Sequence, residues 1–254
     1  MTGEVLYEVY DGVAVVTIKR PEKLNALNMA ACEALQESWK RIEDDPAVRV
    51  GIVTAAGEKA FCAGFDISEK VTDRPPTTED FTPRPGTRPV TGKPLIAAVN
   101  GLAMAAGVAL VEACDLCVAA DHAWFSLPEV KLGIGVEPFI QSLWTLPQRV
   151  LFEMLVTGDR LGAERAYQLG FVNRLAPAGE LMSTAFALAR TIAENAPLAV
   201  LASKAMIFGG QRAMGMDLAV AEANRVFAPV AASADSQEGF RAWAEKRKPV
   251  WQSK

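Results

Sequence analysis

Four runs of β-branched and aliphatic residues, at positions 5–9, 13–19, 48–54 and 95–99, limit this chain's fold more than any other feature. Each has the length and composition of a strand. Between the second and third, Asn28 stands before residues 29–42, where Leu35, Trp39 and Ile42 recur at helical spacing behind an Asn cap. A second round follows, with a strand over residues 94–101, a small-residue helix over 103–112 and a strand over 116–119. The order strand, strand, helix, strand thus begins to repeat, which is an α/β pattern. From about Gln148 the periodicity is helical, over residues 148–156, 163–169, 178–195, 197–208 and 214–232, with a basic helix at 235–247. The expected organisation is an α/β core over residues 1–200 and a helical part over 201–254. No linker between them is long or polar enough to make them independent.

Residues 71–92 interrupt the pattern with proline, threonine and aspartate and read as a long surface loop, either a mobile binding loop or a plain insertion. At 254 residues, half hydrophobic and 22% charged, the chain buries a substantial core. No window approaches the roughly 20 apolar residues of a membrane span, and residues 1–4 lack a basic segment followed by an apolar one. The expectation is a cytoplasmic, unprocessed protein with no membrane partner. A net charge of −4 with mixed signs argues against nucleic acid, which requires a basic face. Arg241, Lys246, Arg247 and Lys248 do gather near the C-terminus, and by themselves read as a solvated helix face. The cysteines Cys32, Cys62, Cys114 and Cys117 sit in apolar surroundings and read as reduced core residues, including the pair in the CxxC of 114–117.

The sequence lacks the HExxH, DxDxDG, GxGxxG, P-loop and GxSxG patterns, so metal, nicotinamide, ATP and serine-hydrolase chemistry find no support. The single histidine, His122, follows Asp121 in a turn and reads as a surface residue. Two small-residue turns placed after strands stand out instead, at residues 60–67 (AFCAGFDI) and 99–107 (VNGLAMAAG). Such turns let a ligand approach the backbone, and a helix start there offers unpaired N–H groups to a developing oxyanion. Tight helix-to-strand packing accounts for the spacing equally well.

In order and spacing, Arg20-Pro21-Glu22-Lys23-Leu24-Asn25-Ala26-Leu27-Asn28, residues 60–67, Ala97-Ala98-Val99-Asn100-Gly101 and Leu127-Pro128-Glu129-Val130-Lys131-Leu132-Gly133 resemble the enoyl-CoA hydratase/isomerase (crotonase-like) family. Leu155-Val156-Thr157-Gly158-Asp159-Arg160 and Glu245-Lys246-Arg247-Lys248 extend the resemblance over nearly the whole chain. It implies a spiral of ββα units with a helical C-terminal trimerisation region, assembled as a trimer or a dimer of trimers. It also implies an acyl-CoA thioester as substrate, no prosthetic group and no metal.

By resemblance, the oxyanion-hole N–H groups fall on Phe65 and Ala106. Coenzyme A lies against the backbone of Ala63, Asp66 and Ile67, near Lys23 and Ala26, with Trp243 and Lys246 reaching its adenosine phosphate end from a neighbouring subunit. Family hydratases carry two glutamates. The second matches Glu129, but the position of the first is Ala109, which cannot hold or deprotonate a water. Glu137 stands where dienoyl-CoA isomerases and a chlorobenzoyl-CoA dehalogenase carry aspartate, so Glu129 and Glu137 are the expected acid/base pair. Glu112, a helical turn beyond Ala109, reads better as a polar residue on the outer side of its helix. Hydration, single-glutamate Δ3–Δ2 isomerisation, non-catalytic acyl-CoA binding and dehalogenase-like attack by Glu137 are the competing expectations.

Overall fold

In the computed structural model the first two strands, β1 (Val5–Tyr10) and β2 (Val13–Ile18), form an antiparallel hairpin closed by Asp11 and Gly12, both at positive φ. The structure describes residues 3–67, 76–82, 90–135, 137–177 and 179–250, without the side chains of Glu137, Pro138, Val226, Phe227 and Ala231. Helix α1 (Met29–Asp44) starts where the sequence predicts, the Asn28 side chain accepting the N–H of Ala31 at 2.9 Å. Its Leu35, Trp39 and Ile42 are buried against the sheet.

Each following unit leaves one strand in each of two sheets. β3 (Val50–Ala55) and β4 (Ala60–Cys62) form the first pair, β5 (Leu95–Val99) and β6 (Leu102–Met104) the second. Helix α2 (Ala106–Glu112) then leads to the third pair, β7 (Leu116–Ala120) and β8 (Trp124–Ser126). The helix expected over 103–112 therefore starts three residues later, because Leu102–Met104 is drawn into the second sheet beside β4 and β8. After α3 (Gln148–Thr157) come β9 (Leu161–Gly162), α4 (Ala163–Gln168) and β10 (Arg174–Ala176).

The larger sheet has the order β1-β2-β3-β5-β7-β10, parallel apart from the initial hairpin. The smaller has the order β4-β6-β8-β9, with only β9 antiparallel. Strands β3 and β5 are buried at every residue, as parallel strands covered on both faces must be. One face packs against α1 and α2; the other packs against α5 (Leu181–Ala193) through Leu181, Ala185 and Ala189.

The last helices are α6 (Pro197–Ala213), α7 (Met216–Ala232) and α8 (Asp235–Ala244). The division expected at residue 200 falls inside α6, whose Lys204 is buried against the α/β core. Gly239 of α8 lies so close to the backbone of Leu132 that an added Cβ would stand 1.9 Å from its carbonyl oxygen. The C-terminal helices thus brace the short 3-10 helix Pro128–Leu132. Within the C-terminal region Arg247 of the basic cluster donates to both oxygens of Glu238, whose carboxyl falls to about 2 chiefly because of those bonds.

Of the loop expected over 71–92, residues 71–75 and 83–89 lie outside the described residues. The part between them is pinned: Phe81 is fully buried, and its carbonyl accepts the Trp39 indole N–H at 2.6 Å.

Candidate active site

The turn after β4 and the turn before α2 meet. A side chain at Gly64 would start 3.0 Å from Ala105 Cβ, 3.3 Å from Met104 O and 3.7 Å from Ala106 N. Gly64 has φ of 98° and carries the chain into Phe65, whose ring packs edge-on against Phe81 at 6.0 Å. The turn is fixed from its other side, where Leu27 N–H donates to Gly64 O and Asp66 N–H to Leu27 O. Phe65 N–H lies between these two bonds in sequence and takes part in neither.

Ala105, just ahead of α2, has φ 53° and ψ −122°, a conformation that favours glycine. Its N–H is held by Ser126 O at 3.0 Å, while Val108 and Ala109 N–H turn back to Ala105 O. Gly107 is wedged against β4, since a Cβ there would sit 2.2 Å from Cys62 O. Among the described residues, neither Phe65 N–H nor Ala106 N–H donates to a protein acceptor. Two donors on adjacent, rigidly held turns are the ingredients of an oxyanion hole.

Glu129 arrives by a separate route. β8 pairs with β6 in the register Met104↔Ser126, so the chain leaves β8 beside Ala105 and turns at once into the 3-10 helix Pro128–Leu132. Glu129 is its buried member, 7% exposed. Glu137 opens the next 3-10 helix, Glu137–Trp144, and its side chain lies outside the described part of the structure.

Of the positions associated with coenzyme A, Lys23, Ala26, Ala63, Asp66 and Ile67 fall on the same pair of loops. Lys23 and Ile67 are exposed, Ala63 is half-buried, and Ala26 is buried. Ala63 N–H donates to Leu24 O, joining the two loops. The Asp66 side chain turns inward to Arg20 Nη2 at 3.0 Å, and the residue is buried. Trp243 and Lys246 are exposed at the end of α8.

Glu112 corrects the sequence reading. Far from lying on an outer face, it is half-buried at the end of α2, where Ser142 Oγ, Gln141 Nε2 and Thr145 Oγ1 all donate to its carboxylate, Gln141 at 3.0 Å. Burial outweighs the three donors, which pull the other way, and leaves its carboxyl at about 7. With Ala109 it walls a cavity of about 400 Å³ between α2, the helix Glu137–Trp144 and α6. The available signal was its place three residues after Ala109, on the same helix face.

The remaining titratable candidates take structural places. His122 is exposed, its pKa raised chiefly by a bond to Glu58 O. Cys114 and Cys117 are free thiols raised by burial, and burial likewise takes Cys62 to about 12. Among the described residues no His/Cys/Asp/Glu group is arranged to hold a metal, and no single helix is long and apolar enough to cross a membrane.

Comparison with known proteins accords with this geometry. The enoyl-CoA hydratase/isomerase family model matches residues 8–254. The (E)-benzylidenesuccinyl-CoA hydratase of Thauera aromatica is 35% identical, over 97% of this chain and 98% of that one. The carnitinyl-CoA dehydratase of Escherichia coli strain K12 is 38% identical, over 94% of each. Among solved structures, a carnitinyl-CoA dehydratase from Mycobacterium avium 104 superposes with a TM-score of 0.87 at 37% identity, covering 99% of both chains. With spiral topology, sequence and relatives in agreement, the chain belongs to the enoyl-CoA hydratase/isomerase family and has its crotonase fold.

Proposed function

We propose that this enzyme adds water to, or removes it from, an acyl-CoA thioester, with Glu129 carrying the proton and the N–H groups of Phe65 and Ala106 holding the thioester oxygen. Two observations support this reading: the turns at Gly64 and Ala105 pack together and carry N–H groups that donate to no protein acceptor among the described residues, and Glu129 is buried in the 3-10 helix that follows β8. Charge that develops on the oxygen of the enolate is stabilised there. Loss of one such donor typically costs about 3 kcal/mol.

In the hydration direction, Glu129 takes a proton from water as the oxygen bonds to the β carbon, and the electron pair of the double bond moves into the thioester. Glu129 then returns the proton to the α carbon, so one water is added and the carboxylate is restored. Dehydration is the reverse. The relatives are hydratases and dehydratases, which supports the hydro-lyase direction. Ala109 favours a second reading, in which Glu129 moves one proton from the α to the γ carbon of a 3-enoyl thioester with no water involved. Glu137, as a partner of Glu129, remains part of the proposal.

Crotonyl-CoA hydration and 3-enoyl-CoA isomerisation, followed spectrophotometrically, separate the readings. Glu129→Gln is expected to lower the hydration kcat by about 10²–10⁴-fold. Robust isomerisation with no hydration by the wild-type enzyme refutes the hydro-lyase. Glu137→Gln at wild-type rate removes Glu137 from the mechanism.

A further inference from the structure

Two residues beyond β2, Arg20 is buried, with 5% of its surface exposed. Its guanidinium is engaged in three directions. Nη2 donates to Asp66 Oδ2 at 3.0 Å, Nη1 donates to Ala26 O, and Nε faces Glu4 Oε1 at 3.4 Å. Its backbone is engaged as well: Arg20 O accepts the N–H groups of Lys23 and Asn25, and Arg20 N–H donates to Asn25 Oδ1 at 2.9 Å. The loop over residues 20–27 is thus wound round this one residue. It passes through Leu24 and Asn25 at φ of 52° and 55°, a region that side chains other than glycine avoid unless their surroundings hold them there.

The far end of this brace is the turn that carries Phe65. Leu27 and Phe65 form an isolated parallel bridge, with Leu27 N–H donating to Gly64 O and Asp66 N–H to Leu27 O. A bridge one residue long resists sliding but leaves twisting about it open. Arg20 closes that freedom from both sides, at Ala26 just before Leu27 and at Asp66 just after Phe65. A buried ion pair adds little stability over well-packed apolar groups. What a planar guanidinium supplies is two fixed directions, which a lysine ammonium lacks.

We propose that Arg20 is a positioning residue for the oxyanion hole: by holding Ala26 and Asp66 together it aims the Phe65 N–H at the thioester oxygen. Arg20 touches no reacting atom and acts through the turn it braces. The loop at Lys23 and Ala26 and the turn at Phe65 then move as one piece, and an oxyanion donor is effective only when its direction is set before the charge develops. The inference rests on the acyl-CoA reading above.

The probe is 4-(dimethylamino)cinnamoyl-CoA, a push–pull thioester whose absorption moves to longer wavelength as its carbonyl is polarised. Its shift on binding reads the oxyanion donors without turnover. Arg20→Lys keeps the charge but cannot reach Ala26 O and Asp66 along two arms of a fork. It is expected to bind the probe yet lose at least half of the wild-type shift. With crotonyl-CoA it should lower kcat by about 10–100-fold while KM moves by less than about threefold. Asp66→Ala removes the other end of the brace and should reproduce the loss, and the two substitutions together should do no more than either alone. Asp66→Asn keeps an acceptor for Nη2 and should retain most of the shift. A merely structural role would lower Tm and leave the shift of bound probe and kcat intact, and that result overturns the proposal. Should Arg20→Lys fail to fold, a full shift in Asp66→Ala overturns it equally. If the wild-type enzyme itself produces no shift, the oxyanion reading falls and the role of Arg20 with it; a wild-type shift that survives both substitutions removes Arg20 alone.

Discussion

Replacing Glu112 by glutamine should change how stability depends on pH. The wild-type carboxyl sits at about 7 in the folded protein against 4.5 for an unperturbed glutamate, with burial as the main cause. The folded state therefore holds this proton more tightly than the unfolded chain. That contribution is present in full below pH 4.5 and is lost as pH rises through about 7. Each tenfold difference in proton affinity is worth about 1.4 kcal/mol, so the full loss is about 3.5 kcal/mol before screening. Glu112 borders a cavity that admits water, and screening there makes about 2 kcal/mol the expected figure between pH 5 and pH 8. Glutamine cannot ionise and still accepts from Ser142 and Thr145, while the Gln141 amide turns over to meet its new NH2 group. Urea denaturation of both proteins across that range measures the difference directly. Glu112→Gln should gain on wild type as pH rises. A flat difference curve, or a wild type that gains instead, would refute the burial argument.

Three further outcomes follow from the packing. Gly107→Ala puts a methyl 2.2 Å from Cys62 O, a backbone atom that cannot yield cheaply. It should cost about 3 kcal/mol in a denaturant melt. It should also lower kcat about 100-fold, because the displaced α2 carries Ala106 N–H with it. Ala105→Gly relieves a backbone at φ 53° and ψ −122°, worth about 1–3 kcal/mol, against roughly 0.5–1 kcal/mol for the added freedom of the unfolded chain. A net gain of about 1 kcal/mol should appear as a raised Tm, and a lowered Tm would show that the turn is unstrained. Lys204→Met strips Asp115 of its buried cation and should cost about 3 kcal/mol in denaturation, most of which Lys204→Met with Asp115→Asn recovers.

The sequence exposed the fold wherever local rules decide it. The Asn28 cap, the period of Leu35, Trp39 and Ile42, and the unbroken apolar strands β3 and β5 need no knowledge of the rest of the chain. Residues 103 and 104 read as helix because Leu-Ala-Met suits a helix as well as a strand. Only the neighbouring β4 and β8, far away in sequence, draw it into a sheet. Phe65, Ala106 and Glu129 are singled out by the resemblance alone, because their local signals are weak. A backbone N–H carries no residue signature, and a glutamate after proline is usually exposed.

Glu112 shows what a pattern reading overlooks. A lone carboxylate near the end of a short apolar helix looks like the helix's exit to solvent, and its place one turn after Ala109 is a weak signal against that. The groups that enclose it, Gln141, Ser142 and Thr145, come about thirty residues later, and α6 follows later still. Burial of a charge is a tertiary decision, made where distant elements close over it. The same closure gives Ala109 its meaning. From the sequence it is a missing carboxylate; in the folded chain it lines the same cavity as Glu112. The carboxylate that this helix lacks at Ala109 thus stands one turn later at Glu112, on the wall of the same cavity.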